Sequence, residues 1–424
     1  MDFSKIKVVH FIGIGGIGIS AIARMFLYPE RSRGVARIKV SGSDTAESEV
    51  MAELRKVGVQ VTIGQRAENI PADCDLVIYT IAVPLENPEF AEAKRRGVLL
   101  LSYPEALGVI SKEKFTIAIS GTHGKTTTTA MIARILMDAG LDPTVIVGSF
   151  LLDGKGGRTN FIAGKSKYLV VEACEYRRSF LNLSPKILVI TNIDADHLDY
   201  YKDLDDIRNA FAELVAKVPK DGVVITEKEY GLIVLKKNFA LKIPGKHNLQ
   251  NARAALCAAR ALGISDEVSL RSLAAFRGTW RRFEYRGRAQ NGALVYDDYG
   301  HHPTEIEATL QGAREAFPTQ RIVVVFQPHL YSRTKDHLAA FGQCFARADA
   351  VVLLPIYPAR EKDPGDISSQ MVVNEIKKNG KEAHFAASFA EAAALAEKFS
   401  SANDLILTLG AGDTNKVADI LIKV

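Results

Sequence analysis

The stretch Phe115-Thr116-Ile117-Ala118-Ile119-Ser120-Gly121-Thr122-His123-Gly124-Lys125-Thr126 decides the fold. Its apolar, β-prone first half predicts a buried strand, and the run from Lys125 to Ala139, closed by Gly140, predicts a helix. Between them the glycines let backbone N–H groups approach one point, at the positive end of the helix. That arrangement cradles a phosphate. Lys125 is placed to reach the outer phosphates and Thr126 to offer its hydroxyl to magnesium. The usual phosphate-loop pattern has about four residues between its glycines, and this run has Thr122 and His123 alone.

The same strand–turn–helix pattern recurs on both sides. Upstream, Ile6–Ile12 runs into Gly13-Ile14-Gly15-Gly16-Ile17-Gly18 and a helix from Ser20 to Leu27. Strands are predicted at Ala36–Ser41, Gln60–Ile63, Leu76–Thr80 and Val98–Ser102, with helices at Ser48–Lys56 and Pro88–Arg95. After the phosphate loop come strands at Tyr168–Val171 and Ile187–Thr191 and an alanine-rich helix at Asn248–Leu262. The last third predicts strands at Leu294–Tyr296, Arg321–Phe326, Ala350–Leu354 and Asp404–Leu409. Its helices fall at Thr304–Ala316, Thr334–Arg347 and Phe389–Lys398. Strands alternating with helices indicate α/β architecture with doubly wound parallel sheets. A chain of 424 residues is too long for one core. Three consecutive α/β domains are expected, at 1–112, 113–288 and 289–424.

Composition narrows the function. Hydrophobic residues make up 47% and charged residues 24%, and the net charge of +5 is dispersed. With one tryptophan and no basic stripe, the chain is suited to anionic small molecules and has no nucleic-acid partner. Cys74, Cys174, Cys257 and Cys344 form no CxxC pair and read as reduced thiols. The apolar run Val8–Ile14 is too short for a signal peptide or a membrane span, so a cytoplasmic protein without a membrane partner is expected.

Further motifs follow strands. The turn at Gly13–Gly18 suits a pyrophosphate, with Asp44 placed to hold a ribose hydroxyl; NAD is the default ligand on fold logic, and tight packing alone is the alternative. Glu172 and Glu175 end one apolar strand, and His197 lies just past another in Asp194-Ala195-Asp196-His197. Such groups converge beside a phosphate loop, where they hold magnesium or form a solvated acidic rim. Asn248 can cap its helix. Arg281-Arg282 reads as a solvated corner or as a γ-phosphate contact. Asp297-Asp298-Tyr299-Gly300-His301-His302 lacks a third spaced ligand for a metal, and Gln327-Pro328-His329-Leu330-Tyr331-Ser332-Arg333 puts a histidine and an arginine at a strand end.

Together these blocks resemble the Mur ligases of peptidoglycan synthesis over nearly the whole length. The likeness rests on the turn at 13–18, GTHGKTTTT at 121–129, EACEYRRSF at 172–180, TNIDADHLD at 191–199 and HNLQNARAA at 247–255. It continues through RRFE at 281–284, DDYGHHPTEI at 297–306, QPHLYSRT at 327–334 and LGAGD at 409–413. The resemblance implies a Rossmann-like N-terminal domain for a UDP-sugar, a P-loop ATPase-like central domain for ATP and Mg2+, and a Rossmann-like C-terminal domain. It displaces NAD and puts the UDP-sugar at Gly15, Gly16, Ile17, Gly18, Ser43 and Asp44. ATP falls to Gly121, Thr122, His123, Gly124, Lys125, Thr126 and Thr127, with Asn251 on adenine, Arg282 on the γ-phosphate and Asp298 on the ribose. Thr126 and Glu172 would hold one magnesium and His197 a second, and Tyr299, His329 and Arg333 would line an L-alanine pocket.

The implied reaction joins L-alanine to the carboxylate of UDP-N-acetylmuramate through an acyl phosphate, with Lys125, Arg282, His197, Glu172 and His329 as the catalytic set. His329 is the candidate to take the amine proton. A recycling ligase that adds a tripeptide, a non-catalytic nucleotide-binding regulator and an NAD-dependent dehydrogenase are the competitors; a monomer or weak homodimer is expected. Three departures stand out: Leu330 where relatives carry a second arginine, a short 222–246 segment, and a basic insertion at 28–34. Phe211 occupies the position where sister ligases carry a carbamylated lysine, so none is expected.

Overall fold

The computed structural model describes residues 3–28, 38–152, 157–235, 239–359 and 361–422, so most of the insertion at 28–34 lies outside the described residues. The first five strands are β1 (Val8–Ile12), β2 (Lys39–Asp44), β3 (Gln60–Ile63), β4 (Leu76–Tyr79) and β5 (Leu99–Ser102). They form a parallel sheet in the order β3-β2-β1-β4-β5, the doubly wound arrangement. The second strand begins at Lys39 and runs to Asp44, later than the expected Ala36–Ser41. Ser102 and Glu105 form a capping box that starts the helix Tyr103–Glu113.

The second sheet is built from β6 (Phe115–Ser120), β7 (Thr144–Leu152), β8 (Arg158–Ile162), β9 (Tyr168–Glu172), β10 (Ile187–Ile190) and β11 (Val223–Ile225). Its order is β11-β10-β6-β9-β7-β8, parallel except for the β7–β8 hairpin. The central strand β6 is covered on both faces, and the following helix Lys125–Asp138 buries even Thr126–Thr129. Phe211, on the helix Leu204–Ala216, is a core residue packed edge-on against Phe180. One apolar cluster runs without a break from Phe11 and Phe26 beneath the first sheet to Leu188 and Phe211 beneath the second. By contacts, Met1–Phe239 and Asn251–Ala274 form one unit.

A second unit comprises Ala240–Gln250 and Ala275–Val424. Its strands are β12 (Glu284–Arg288), β13 (Leu294–Asp298), β14 (Ile322–Phe326), β15 (Ala350–Leu353), β16 (Ala383–Phe385) and β17 (Leu405–Leu409). The order is β12-β13-β17-β14-β15-β16, with β12 antiparallel to β13 at one edge and the remaining pairs parallel. β12 therefore belongs to the third sheet although it precedes residue 289. The expected helix Thr334–Arg347 is two helices, Tyr331–Asp336 and Leu338–Cys344, parted at His337 (φ −110°). Asn248 sits inside the helix Lys246–Ala261 and donates from Nδ2 to Pro244 O at 2.6 Å, so it is no N-terminal cap.

Candidate active site

The phosphate loop leaves β6 at the carboxyl end of the second sheet. Gly121 (φ +128°) lies so close to the next crossover that a Cβ there would stand 2.1 Å from Thr191 Oγ1. Gly124 takes the left-handed conformation (φ +81°) just before the helix, and a Cβ would meet Asn251 Oδ1 at 2.4 Å. Both positions therefore demand glycine. The second block, Thr191-Asn192-Ile193-Asp194, clasps the loop. Asn192 Oδ1 accepts from His123 N (2.9 Å), Thr191 Oγ1 donates to His123 O (2.5 Å), and Thr122 Oγ1 accepts from Asp194 N (2.9 Å).

Lys125 is turned back onto its own loop. Its Nζ donates to Gly121 O (2.6 Å) and Thr122 O (3.1 Å) and pairs with Glu175 at 2.9 Å. Burial works against its charge, but Glu175 and then the other neighbouring groups hold the ammonium above the ordinary lysine range. Glu175 itself is 3% exposed and also faces His197 Nε2, 3.6 Å away. The sequence offers this carboxylate, with Glu172, as a magnesium ligand or part of a solvated rim; in the structure it is buried and paired with Lys125. The Glu172-Ala173-Cys174-Glu175 spacing was the available signal, two carboxylates leaving one buried strand.

Thr126 Oγ1 donates to Glu172 Oε2 (3.0 Å), which also accepts from Gly148 N (2.9 Å). A hydroxyl and a carboxylate are oxygen donors of the kind magnesium takes, and the phosphates would complete such a shell. His197 stands in a left-handed conformation (φ +56°), its ring 4.8 Å from that of Tyr176, with its Nε2 3.6 Å from Glu175 and 3.9 Å from Asp196. Among the described residues no cluster of three or more His, Cys, Asp or Glu side chains could hold a metal by protein ligands alone. Thr127 is buried in the first helical turn, and Asn251 is buried against Gly124.

In the first sheet the turn at 13–16 is fixed by β2. Gly13 N and Ile14 N donate to Ser43 O (2.9 and 3.0 Å), and Gly15 N donates to Asp44 Oδ2 (2.8 Å). Gly18 is pressed against the Tyr103 ring, where a Cβ would stand at 2.8 Å. Gly16 and Ile17 open the helix Ile17–Leu27, with Gly16 at its N-cap. The Ser43 hydroxyl points inward, donating to the buried Glu89 at 2.5 Å, so this residue meets the turn through its carbonyl. Glu89 also accepts from Asn69 Nδ2 (2.5 Å) and Arg66 N (3.1 Å), a buried carboxylate with its lone pairs engaged.

In the second unit the two adjacent arginines part ways. Arg281 is 2% exposed and is no solvated corner. It pairs with Asp297 (2.7 Å) and donates to Gly412 O (2.8 Å), Gly410 O (2.6 Å) and Thr414 Oγ1 (3.1 Å). Arg282 is half-buried, lies over the Tyr299 ring at 5.3 Å and is 3.9 Å from Glu305. Asp298 accepts from Phe283 N and Gly300 N, both at 2.8 Å, and burial pushes its carboxyl up to about 6. Tyr299, His329 and Arg333 fall in one cluster. His329 Nδ1 is 3.3 Å from Arg333 Nη1, its ring stacks on Tyr357, and His301 bridges it to Tyr299. Leu330 is buried with φ +70°. His302 caps the helix Pro303–Ala316.

A cavity of ≈ 490 Å³ lies elsewhere, at the amino ends of β6 and β10, lined by Lys112, Lys114, Lys186 and Lys217 among others. Lys112, Lys114 and Lys217 stand near the carboxyl ends of the helices Tyr103–Glu113 and Leu204–Ala216, and Lys186 pairs with Asp221. The first three offset the helix dipoles.

Family models match three consecutive segments: Mur ligase family, catalytic domain, at 8–115; Mur ligase middle domain at 119–237; and Mur ligase, glutamate ligase domain, at 281–412. The UDP-N-acetylmuramate–L-alanine ligase of Clostridium tetani is 41% identical, covering 100% of this chain and 99% of its own. That of Acetivibrio thermocellus is 41% identical, with 100% and 97% covered. Among solved structures, a UDP-N-acetylmuramate–alanine ligase from Thermotoga maritima superposes with a TM-score of 0.79 at 32% identity, covering 98% of each chain. A murein peptide ligase from Psychrobacter arcticus shares the fold at 23% identity and a TM-score of 0.68. With relatives of this identity aligned from end to end, the chain belongs to the Mur ligase family.

Proposed function

We propose that this chain joins L-alanine to the carboxylate of UDP-N-acetylmuramate at the expense of ATP, a step in making peptidoglycan precursors. The observation that carries the reading is full-length identity of 41% to ligases of that name. The geometry of the phosphate loop agrees with it. A carboxylate is a poor acyl donor because oxide would have to leave. Transfer of the γ-phosphoryl group to the lactyl carboxylate gives an acyl phosphate, and the amine of L-alanine then displaces phosphate. Both steps gather negative charge.

In this reading Lys125 exchanges its loop carbonyls for the outer phosphates, and the amides at the helix start hold the same anion. Arg282 stabilises the γ-phosphoryl group as it moves. Bound magnesium would neutralise phosphate charge, with Thr126 and Glu172 as its protein ligands and His197 serving a second ion. Asp298 and Asn251 orient the nucleoside. Gly15, Gly16, Ile17, Gly18 and Asp44 hold the UDP-sugar, Ser43 through its backbone. Tyr299 and Arg333 orient the amino acid, and His329 accepts the amine proton. The proposed domains are 1–112, 113–288 and 289–424; the pairing of β12 with β13 supports placing the second joint somewhat earlier, near residue 275. No described helix is long and apolar enough to cross a membrane, which supports a cytoplasmic site of action.

Phosphate release is the test, measured with ATP, magnesium and UDP-N-acetylmuramate while L-alanine, L-serine, glycine or tripeptide is offered in turn. L-Alanine should give the highest kcat/KM. Turnover with tripeptide alone would replace the proposal by the recycling ligase, and no ADP with any amine would favour a regulator.

A further inference from the structure

The β7–β8 hairpin grips two functional elements at once. On β7, Gly148 N donates to Glu172 Oε2 at 2.9 Å, fixing the carboxylate that meets Thr126. A Cβ on Gly148 would stand 3.2 Å from that carboxylate, so the strand is pressed against it. On β8, Asn160 is 1% exposed and reaches into the first sheet's layer. Its Nδ2 donates to Ile17 O (2.5 Å) and Ser20 Oγ (2.8 Å), in the first turn of the helix that leaves the glycine turn. The next residue, Phe161, stacks its ring on Tyr28 at the far end of that helix, 6.2 Å between centroids.

The surrounding contact is apolar, and apolar burial is non-directional. Hydrogen bonds with defined donors and acceptors set position along and around the helix. Asn160 is poorly explained as a stabiliser. Its Oδ1 is buried with no partner among the described residues. An unmet buried acceptor lowers stability. The two acceptors do not depend on it, since Ser20 Oγ donates to Ile17 O at 2.8 Å without its help. Trimming the side chain to alanine removes this unmet acceptor and leaves Ile17 O and Ser20 Oγ bonded to each other, so the two N–H bonds act on position more than on stability.

We propose that Asn160 is a positioning residue. It holds the glycine turn at 13–18 in register with Glu172 and the phosphate loop, so that a carboxylate on the bound UDP-sugar meets the γ-phosphoryl group in line. The inference rests on the ligase reading above. Misplacement of reacting groups by about 1 Å costs on the order of 100-fold in rate while leaving each separate binding event nearly intact.

Asn160→Ala is the test, on the full chain. It removes the amide without adding atoms; its melting temperature should fall modestly, and, assayed well below that midpoint, KM for ATP and for UDP-N-acetylmuramate should stay within about twofold while kcat falls about 10- to 100-fold. Amide hydrogen exchange, which needs no turnover, should quicken at residues 15–20. Should Asn160→Ala not fold, Ser20→Ala removes one of the two acceptors and should give a smaller kcat loss and the same exchange signature. Unchanged kcat with unchanged exchange overturns the proposal, as does a kcat loss that merely follows a lowered melting temperature. If the parent itself ligates no amine, the ligase reading fails, and exchange at residues 15–20 alone decides whether Asn160 positions the turn.

Discussion

Arg281 and Arg282 are neighbours in sequence and opposites in role, and two alanine substitutions separate them. Arg281→Ala leaves Asp297, 0% exposed, with its bond from Thr408 Oγ1 (2.5 Å) as the one remaining side-chain partner among the described residues; Gly412 O loses its donor and Gly410 O keeps Thr414 Oγ1 (3.3 Å). Burial already pushes the Asp297 carboxyl up while Arg281 draws it down, so the lone carboxylate becomes a strong destabiliser. Breaking a buried pair from one side costs about 3–5 kcal/mol. In a unit of this size that lowers the melting temperature by roughly 6–20 °C. Arg282→Ala removes a partly buried cation that lies over the Tyr299 ring and 3.9 Å from Glu305, and should cost less stability than Arg281→Ala, which breaks a fully buried pair. It should lower kcat about 100- to 1000-fold. Trp280, the single tryptophan, lies 5.7 Å from the Arg281 guanidinium, so its fluorescence reports this unit's unfolding. Replacing both partners, Arg281→Met with Asp297→Leu, should recover most of the lost stability. An Arg281→Ala protein that melts with the parent, or an Arg282→Ala protein that loses as much stability, would refute the assignment.

Other outcomes are equally specific. Lys125→Ala should abolish phosphate release yet leave UDP-N-acetylmuramate binding by calorimetry largely intact; loss of that binding would contradict the domain assignment. Gly124→Ala must hold a Cβ at φ +81° and 2.4 Å from Asn251 Oδ1. It should cost about 1–2 kcal/mol from the backbone alone, with KM for ATP raised, and a normal KM would mean that Asn251 does not serve the nucleotide. Asp298 carries its proton to about 6 in the fold against about 3.9 in the unfolded chain. Its protonation therefore adds stability that is full below pH 4 and is lost as pH rises through 6, about 3 kcal/mol in all. Chemical denaturation from pH 4 to 7 should show that slope in the parent and not in Asp298→Asn. Glu172→Gln should raise the magnesium concentration needed for half-maximal rate; an unchanged requirement would remove Glu172 from the metal site.

Strand–turn–helix punctuation made the three parallel sheets legible, because buried parallel strands are short apolar runs and glycines mark their turns. The β7–β8 hairpin was not, since Arg158-Thr159-Asn160-Phe161-Ile162 reads as polar and its partner Asn160 acts 143 residues away on Ile17. The loop residues were legible as a candidate nucleotide site because glycines just before a helix start let backbone N–H groups converge there. Sequence could not say which of two adjacent arginines turns inward, since that depends on Asp297 and the carbonyls of Gly410 and Gly412 arriving from distant strands. Nor could it show that Ser43 spends its hydroxyl on Glu89. Both facts belong to tertiary packing.

Lys125 has a last consequence for turnover. An ammonium that already holds Gly121 O, Thr122 O and Glu175 would, on the proposed reading, make nucleotide capture a change of partners. Affinity then measures only how much better phosphate is than those three, and a modest difference is what a repeating cycle wants. Once the γ-phosphoryl group has gone, the cation can fall back on its own loop. In the proposed ligase, the side chain that receives the nucleotide would then also assist its release.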